Sequence, residues 1–314
     1  MITKEEVIYM DIKQLEAFVY TVKYKSFSEA GKKLFLSQPT ISAHITALEK
    51  ELHTKLVKRT TRDFCVTDAG NQLYKYAVSI LNLRQKAMDE LSDNNKKSLH
   101  IGASSVPALY ALPEILSAYH NVAPDIIFHT FSSDSLDIVQ KVSDGTLDIG
   151  LVGTSVPDSP CTFLPFAEDE LVLVTPNTPY YQNLKKNQVP FTELLKEPFI
   201  IREDNSGTKR ETDRFFAKIH LTQESLNIIA YINQPETIRH CIMQGLGISI
   251  MSKKMVSYAE FQKELLIFPL GEYKLLRKLY LVYVKDRYLS HVTADFIHFF
   301  VKYNFKPELF TAAK

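Results

Sequence analysis

Ser37-Gln38-Pro39-Thr40-Ile41-Ser42-Ala43-His44-Ile45-Thr46-Ala47-Leu48-Glu49 decides the reading of this 314-residue chain. Ile41, Ile45, Leu48 and Leu52 recur at helical spacing and mark one face for burial. Pro39, Ser42, Ala43, Thr46 and Lys50 fall on the other face, with Gln38 at its start. Ser37 suits an N-cap, and a proline in the first turn lacks only an N–H that has no partner there. Just upstream, Ser26-Phe27-Ser28-Glu29 has the spacing of a capping box and opens a helix through Ala30 and Leu34 to Phe35. Two short helices around a turn at Leu36 have the layout of a helix-turn-helix, whose second helix lies in the major groove of DNA.

An earlier helix carries Leu15, Phe18, Val19 and Val22 on one side and completes a three-helix core. Downstream, the run from Lys55 to Thr67 reads as a basic hairpin, or wing. There Lys58, Arg59, Thr60 and Arg62 can meet the phosphate backbone beside the reading helix. The charge distribution agrees. Residues 11–97 carry 15 Lys or Arg against 10 Asp or Glu, and residues 98–314 carry 21 against 24, so a chain of net charge +1 has a basic front and a mildly acidic body.

These segments resemble the LysR-type transcriptional regulators over nearly the full chain. The resemblance rests on Leu15-Glu16-Ala17-Phe18, Ser26-Phe27-Ser28-Glu29-Ala30, Leu34-Phe35-Leu36-Ser37-Gln38-Pro39-Thr40-Ile41-Ser42 and Thr67-Asp68-Ala69-Gly70. It implies that Gln38, Pro39, Thr40 and Ser42 approach bases or phosphates, with Arg59 on the backbone, and that residues 1–9 form an extension before Met10. Three positions depart from the family. Ala43 stands where many relatives carry a long polar or basic reader, and His53 replaces a common glycine. Gly31 sits where alanine is usual, at a helix-propensity cost of about 1 kcal/mol.

Between residues 68 and 91, Leu73, Tyr76, Ile80, Leu83, Ala87 and Leu91 recur at steps of three and four. That stripe suits a seam between two copies of the helix, and equally a helix packed on its own domain. A polar hinge, Asp93 to Lys97, follows it. The expected organisation is a winged helix-turn-helix domain over 10–67, a linker helix and hinge over 68–97, and an effector-binding domain over 98–314.

From residue 98, short apolar runs alternate with helical patterns, which argues α/β. Strands are expected at 99–102, 126–131, 147–152 and 170–174, then at 199–202, 228–232, 248–251 and 279–284. Helices are expected at 106–119, 136–142, 209–217 and 237–244. Two such halves, joined twice, leave a cleft at the ends of their strands. The resemblance implies a two-subdomain architecture like that of periplasmic binding proteins, with one half near 98–174 and 268–305 and the other near 175–267. The fold class is thus an all-α winged helix-turn-helix head on an α/β effector domain.

The strand-to-helix turns supply candidate effector contacts. Ser104 and Ser105 follow the first strand, Ser132 the second and Thr154 the third, while Arg202, Ser206, Thr208 and Gln234 sit at corresponding turns of the other half. Hydroxyls, cations and helix-start N–H groups favour a small oxyanion or a small carboxylated metabolite. The loop from Arg202 to Arg210 looks like that of family members governing sulfur or carbon assimilation, which points to a sulfur-related anion.

No stretch of about 18 apolar residues and no signal-peptide pattern occurs, so a cytoplasmic protein without membrane contact is expected. Cys65, Cys161 and Cys241 lack metal spacing and read as buried free thiols, and no histidine pair has zinc-site spacing. The carboxylate runs Glu168-Asp169-Glu170 and Asp134 to Asp137 read as solvated turns without a partnered nucleophile. No enzyme activity and no cofactor are expected beyond the anionic effector. Double-stranded DNA and a homodimer or homotetramer are the expected partners. A constitutive architectural DNA binder and an enzyme domain tethered to DNA are the alternatives.

Overall fold

The computed structural model describes residues 10–59, 64–91, 97–257, 261, 263–270, 274–285 and 289–303. The extension before Met10, the wing tip with Thr60 and Arg62, and nearly all of the hinge lie outside them. The chain divides at Asn95 into two compact units, the second of which leaves only Asp144–Thr146 to the first. Among the described residues, no helix is long and apolar enough to cross a membrane.

In the first unit, helices α1 (Ile12–Tyr24), α2 (Phe27–Leu34) and α3 (Gln38–Glu51) precede strands β1 (Val57–Arg59) and β2 (Phe64–Val66) and helix α4 (Asp68–Leu91). Each of the first three helices starts where a short polar side chain can accept from its first turn. Asp11 forms a capping box with Gln14, Ser26 accepts from the Glu29 N–H, and Ser37 accepts from the Thr40 N–H. Leu15, Phe18, Ala30, Ile41, Ile45 and Leu48 are buried together with Leu56 and Ala77. β1 and β2 pair antiparallel as the stem of the wing.

Two sequence readings of this unit change. Gly31 is required by the turn: a Cβ there would stand 2.6 Å from the Leu36 carbonyl oxygen, so its low helix propensity is offset by the close approach it permits. Along α4 the stripe divides, and packing on its own domain accounts for only part of it. Leu73, Ala77 and Ile80 pack against the head core, whereas Tyr76, Leu83 and Leu91 are exposed.

Glu49 anchors the start of the wing. Its Oε1 accepts from the backbone N–H groups of Leu56 (2.9 Å) and Val57 (3.2 Å), and its Oε2 accepts from Lys55. Burial opposes its ionisation, but these donors outweigh burial and hold its pKa below the ordinary 4.5. A carboxylate whose folded pKa is depressed stabilises the fold above the ordinary value and loses that contribution as pH falls through the folded one. Glu49→Gln is therefore expected to cost the head about 1–2 kcal/mol at neutral pH. It should also flatten the loss of stability on acidification below pH 4.5. Urea melts of both proteins at neutral and acid pH test this, and parallel acid profiles would contradict it.

The second unit begins with β3 (Ser98–Ala103), α5 (Ser105–Tyr110), α6 (Leu112–His120), β4 (Ile127–Ser132), α7 (Ser135–Ser143), β5 (Ile149–Val152) and β6 (Thr162–Pro176). It continues with α8 (Pro179–Lys186), α9 (Phe191–Leu194), β7 (Pro198–Arg202), α10 (Gly207–Lys218), β8 (Asn227–Ile232), α11 (Pro235–Met243) and β9 (Ser249–Ser252). β10 (Leu265–Phe268), β11 (Leu275–Tyr283) and α12 (His291–Lys302) complete it. The main sheet runs β10-β6-β11-β5-β3-β4, with β9 also paired to β6. β3 pairs parallel with β4 and β5, and β7 pairs parallel with β8, giving two α/β halves. Phe199 bridges to Ile248, which links the smaller sheet toward β9.

β6 serves both halves. Its first part pairs with β11, and its end pairs with β9 and β10. The expected strand 170–174 is thus the end of a 15-residue strand. The expected helix 106–119 is broken at Ala111, because Pro113 has no N–H to continue the ladder. The run Glu168-Asp169-Glu170 is not a solvated turn: it lies within β6, and Asp169 is 0 % exposed. Of the cysteines, Cys161 is buried, Cys241 half-buried and Cys65 exposed, so burial of all three does not hold.

Candidate functional site

On the reading helix α3, Gln38, Pro39 and Ala43 are exposed, as are Thr46 and Lys50 farther along. Thr40 and Ser42 are half-buried. The Thr40 hydroxyl shares a 2.8 Å hydrogen bond with that of Ser37, which ties it to the cap. Lys58 is exposed on β1; Arg59 belongs to that strand, and its side chain, like the whole of Thr60, lies outside the described residues. An apolar floor thus presents one polar helix face beside an exposed Lys58, an arrangement compatible with groove entry next to a phosphate backbone.

In the second unit, Ser104, Ser105, Arg202, Ser206 and Thr208 line one opening of about 250 Å³, part of which is open to solvent. Val106, Asp134, Ser135, Gly207 and Arg277 complete its wall. The residues come from the C-terminal ends of β3 and β7, the starts of α5, α7 and α10, and β11. This is the crevice at strand ends where open α/β folds take ligands. Ser206 caps α10 by accepting from the Lys209 N–H, and Ser206, Gly207 and Thr208 at the start of that helix line the opening.

Three expected contacts are not brought there. Ser132 is exposed at the end of β4, and the pocket is reached instead from the turn that follows it. Thr154 is buried and donates to Glu211 Oε1 at 2.9 Å. Gln234 is exposed ahead of α11 and does not cap it.

Arg277 was missed because the late strand was expected to start at Leu279. Its signal is the Arg277-Lys278 pair set between Leu275-Leu276 and the run Leu279 to Tyr283. It lies directly opposite Asp169 in the β6–β11 register, donating to Asp169 Oδ2 from Nε (2.8 Å) and Nη2 (2.7 Å). Its Nη1 donates to Thr208 at 3.0 Å, and Ser252 donates to Asp169 Oδ1 at 2.6 Å. Gly153 makes room for this guanidinium, since a Cβ there would come within 3.1 Å of Nη1.

Arg202 is different. It is 9 % exposed, and its Nε is buried without a hydrogen-bond partner among the described residues. Burial, and then the neighbouring Arg277 charge, pull its pKa down to about 10. A buried guanidinium with an unmet donor, ringed by hydroxyls, is suited to receive an anion. No group of three or more His, Cys, Asp or Glu among the described residues is placed to hold a metal ion.

Residues 92–304 match the LysR substrate binding domain, and residues 12–71 match the bacterial regulatory helix-turn-helix protein, lysR family. The chain belongs to the LysR-type transcriptional regulators. This LysR-type regulator is 27 % identical over 275 residues to the HTH-type transcriptional regulator CysL of Bacillus subtilis, covering 87 % of the present chain and 90 % of CysL. Its fold is shared with the crystal structure of CbnR, a LysR family regulator, at a TM-score of 0.65 and 16 % identity over 94 % of this chain and 100 % of CbnR. The regulatory domain of Synechocystis CcmR, solved in complex with 2-PG, matches with a TM-score of 0.57 and 21 % identity, over 65 % of this chain and 95 % of that domain. The LysR-type chain is accordingly a DNA-binding transcriptional regulator with an effector-binding domain, and its family is not one of enzymes.

Proposed function

We propose that a small anion held between Arg202, the hydroxyls of Ser104, Ser206 and Thr208, and the start of α10 adjusts how this regulator engages its operator. The observation that carries the reading is the buried Arg202 Nε, which has no partner among the described residues. A wall of hydroxyls around a buried guanidinium favours a small oxyanion or short carboxylated metabolite. Sulfur-related anions are the first class to test, because the loop from Arg202 to Arg210 resembles that of sulfur and carbon assimilation regulators. An effector shifts the equilibrium between cleft geometries only by its difference in affinity for them, so the bound state must fit the anion better than the open one. The reading also holds that the chain works in the cytoplasm as a homodimer or homotetramer on double-stranded DNA. The exposed Tyr76, Leu83 and Leu91 of α4 support pairing.

A thermal-shift screen of the full chain against sulfate, thiosulfate, sulfite, phosphate, O-acetylserine and short organic acids tests the pocket. Dose-dependent stabilisation by one class, lost in Thr208→Ala, is the expected result. Absence of any stabiliser would favour a constitutive DNA binder with an unused cleft.

On DNA, division of labour between the reading helix and the wing is proposed. Gln38→Ala is expected to reduce discrimination between operator and random duplex by about tenfold. Arg59→Ala should weaken both duplexes alike and lower the slope of log K against log salt by about one. Fluorescence anisotropy over a salt series checks both, and equal losses from both variants on both duplexes would refute the division.

A further inference from the structure

Among the pocket's polar groups, one has a chemistry the others lack. Serine and threonine hydroxyls can donate or accept, and a guanidinium only donates; a carboxylate only accepts. Asp134 is the one carboxylate in the described wall of the pocket. Its Oδ1 accepts from the Asp137 N–H at 2.9 Å at the start of α7, and its Oδ2 has no hydrogen-bond partner among the described residues. The charges sharpen its effect. Arg277 is already neutralised by Asp169, which leaves Arg202 and Asp134 as the opposed charges in the wall itself, with Glu236 and Glu203 acting on Arg202 from outside it. An anion drawn to Arg202 therefore shares the pocket with the Asp134 carboxylate, and only one that brings a hydrogen of its own can satisfy it.

We propose that Asp134 makes this pocket select anions that also carry a hydrogen-bond donor: hydroxy acids, amino acids or a hydrogen phosphate, in preference to fully deprotonated or donor-free anions such as sulfate and acetate. The inference rests on the anion-pocket reading above and narrows it. Such an effector satisfies Arg202 with its oxyanion and Asp134 with its O–H or N–H. Sulfate offers Asp134 only lone pairs, so repulsion and an unmet acceptor weaken it. Among sulfur-related compounds, the same rule favours an amino-acid derivative over an inorganic oxyanion.

Phosphate against sulfate isolates the donor at matched size and shape, and glycolate against acetate adds the donor as a single hydroxyl. Isothermal titration of the full chain at mildly alkaline pH, where phosphate keeps one O–H, is expected to show the donor-bearing member binding about tenfold tighter or more. Asp134→Asn retains an acceptor oxygen for the Asp137 N–H, so the cap of α7 survives. It is expected to narrow both ratios to about threefold or less, chiefly by strengthening sulfate and acetate. Ratios near one in the unsubstituted chain, or ratios unchanged in Asp134→Asn, would overturn the selectivity while leaving the anion pocket standing. Failure of all four anions to bind, or binding indifferent to Arg202→Ala, would overturn the pocket reading and this inference with it.

Discussion

Asp169→Ala is expected to destabilise the effector domain by about 3–5 kcal/mol, enough to threaten folding of a domain of ordinary stability. The carboxylate is wholly buried at the middle of β6, accepts from two nitrogens of Arg277 and from Ser252, and has no route to water. Removing it leaves a guanidinium that is 5 % exposed, with a charge the interior cannot solvate. The loss comes from the orphaned cation rather than from the pair's net worth, since the attraction between the two charges is largely spent on their desolvation. Replacing both partners, Asp169→Leu with Arg277→Met, should therefore recover most of the stability that the single substitution loses. Urea melts of the three proteins give the comparison. A single-variant cost under about 1 kcal/mol, or a double variant no better than the single, would show that the pair does not work this way.

That ion pair also shows where the sequence stops being legible. Helix starts and amphipathic faces are local: Ser26, Ser37 and the Ile41-Ile45-Leu48 stripe announce themselves within one or two turns, and the structure caps and buries them accordingly. The pocket's hydroxyls at Ser104, Ser206 and Thr208 were readable for the same reason, each lying beside a strand-to-helix turn. Asp169 and Arg277 are 108 residues apart, and only the register of β6 against β11 makes them neighbours. Read alone, an acidic triplet is most simply a wet turn, and Pro165 discourages extending the strand back through it. Asp134 was masked in the same way: Asp134 to Asp137 read as a solvated turn, whereas Asp134 is half-buried and caps the start of α7, with Asp137 inside the helix. Its second oxygen gains meaning only when Arg202 shares its pocket.

Arg202→Ala is expected to have two effects of opposite sign. Effector affinity should fall by about 100-fold or more, because the lost group is the pocket's unpaired cation and its hydrogen bonds to an anion are charge-assisted. The effector-free protein should become more stable by about 1 kcal/mol, because a buried donor with no partner is a cost to the empty fold. Burial and the Arg277 charge already disfavour its protonated form, which is the same penalty seen through its pKa of about 10. A purely structural arginine would show the reverse, with stability falling and effector binding changing only as far as the fold loosened. Arg202→Met, which keeps much of the apolar stem, should raise stability further by avoiding a cavity. Melts without effector and titrations with it decide the matter. A destabilised empty protein with unchanged effector affinity would remove Arg202 from the binding machinery and make it a core residue. The opposite pair of results would mean that the regulator keeps a strained cation in reserve for its ligand, trading stability of the empty cleft for a larger affinity difference between its two states.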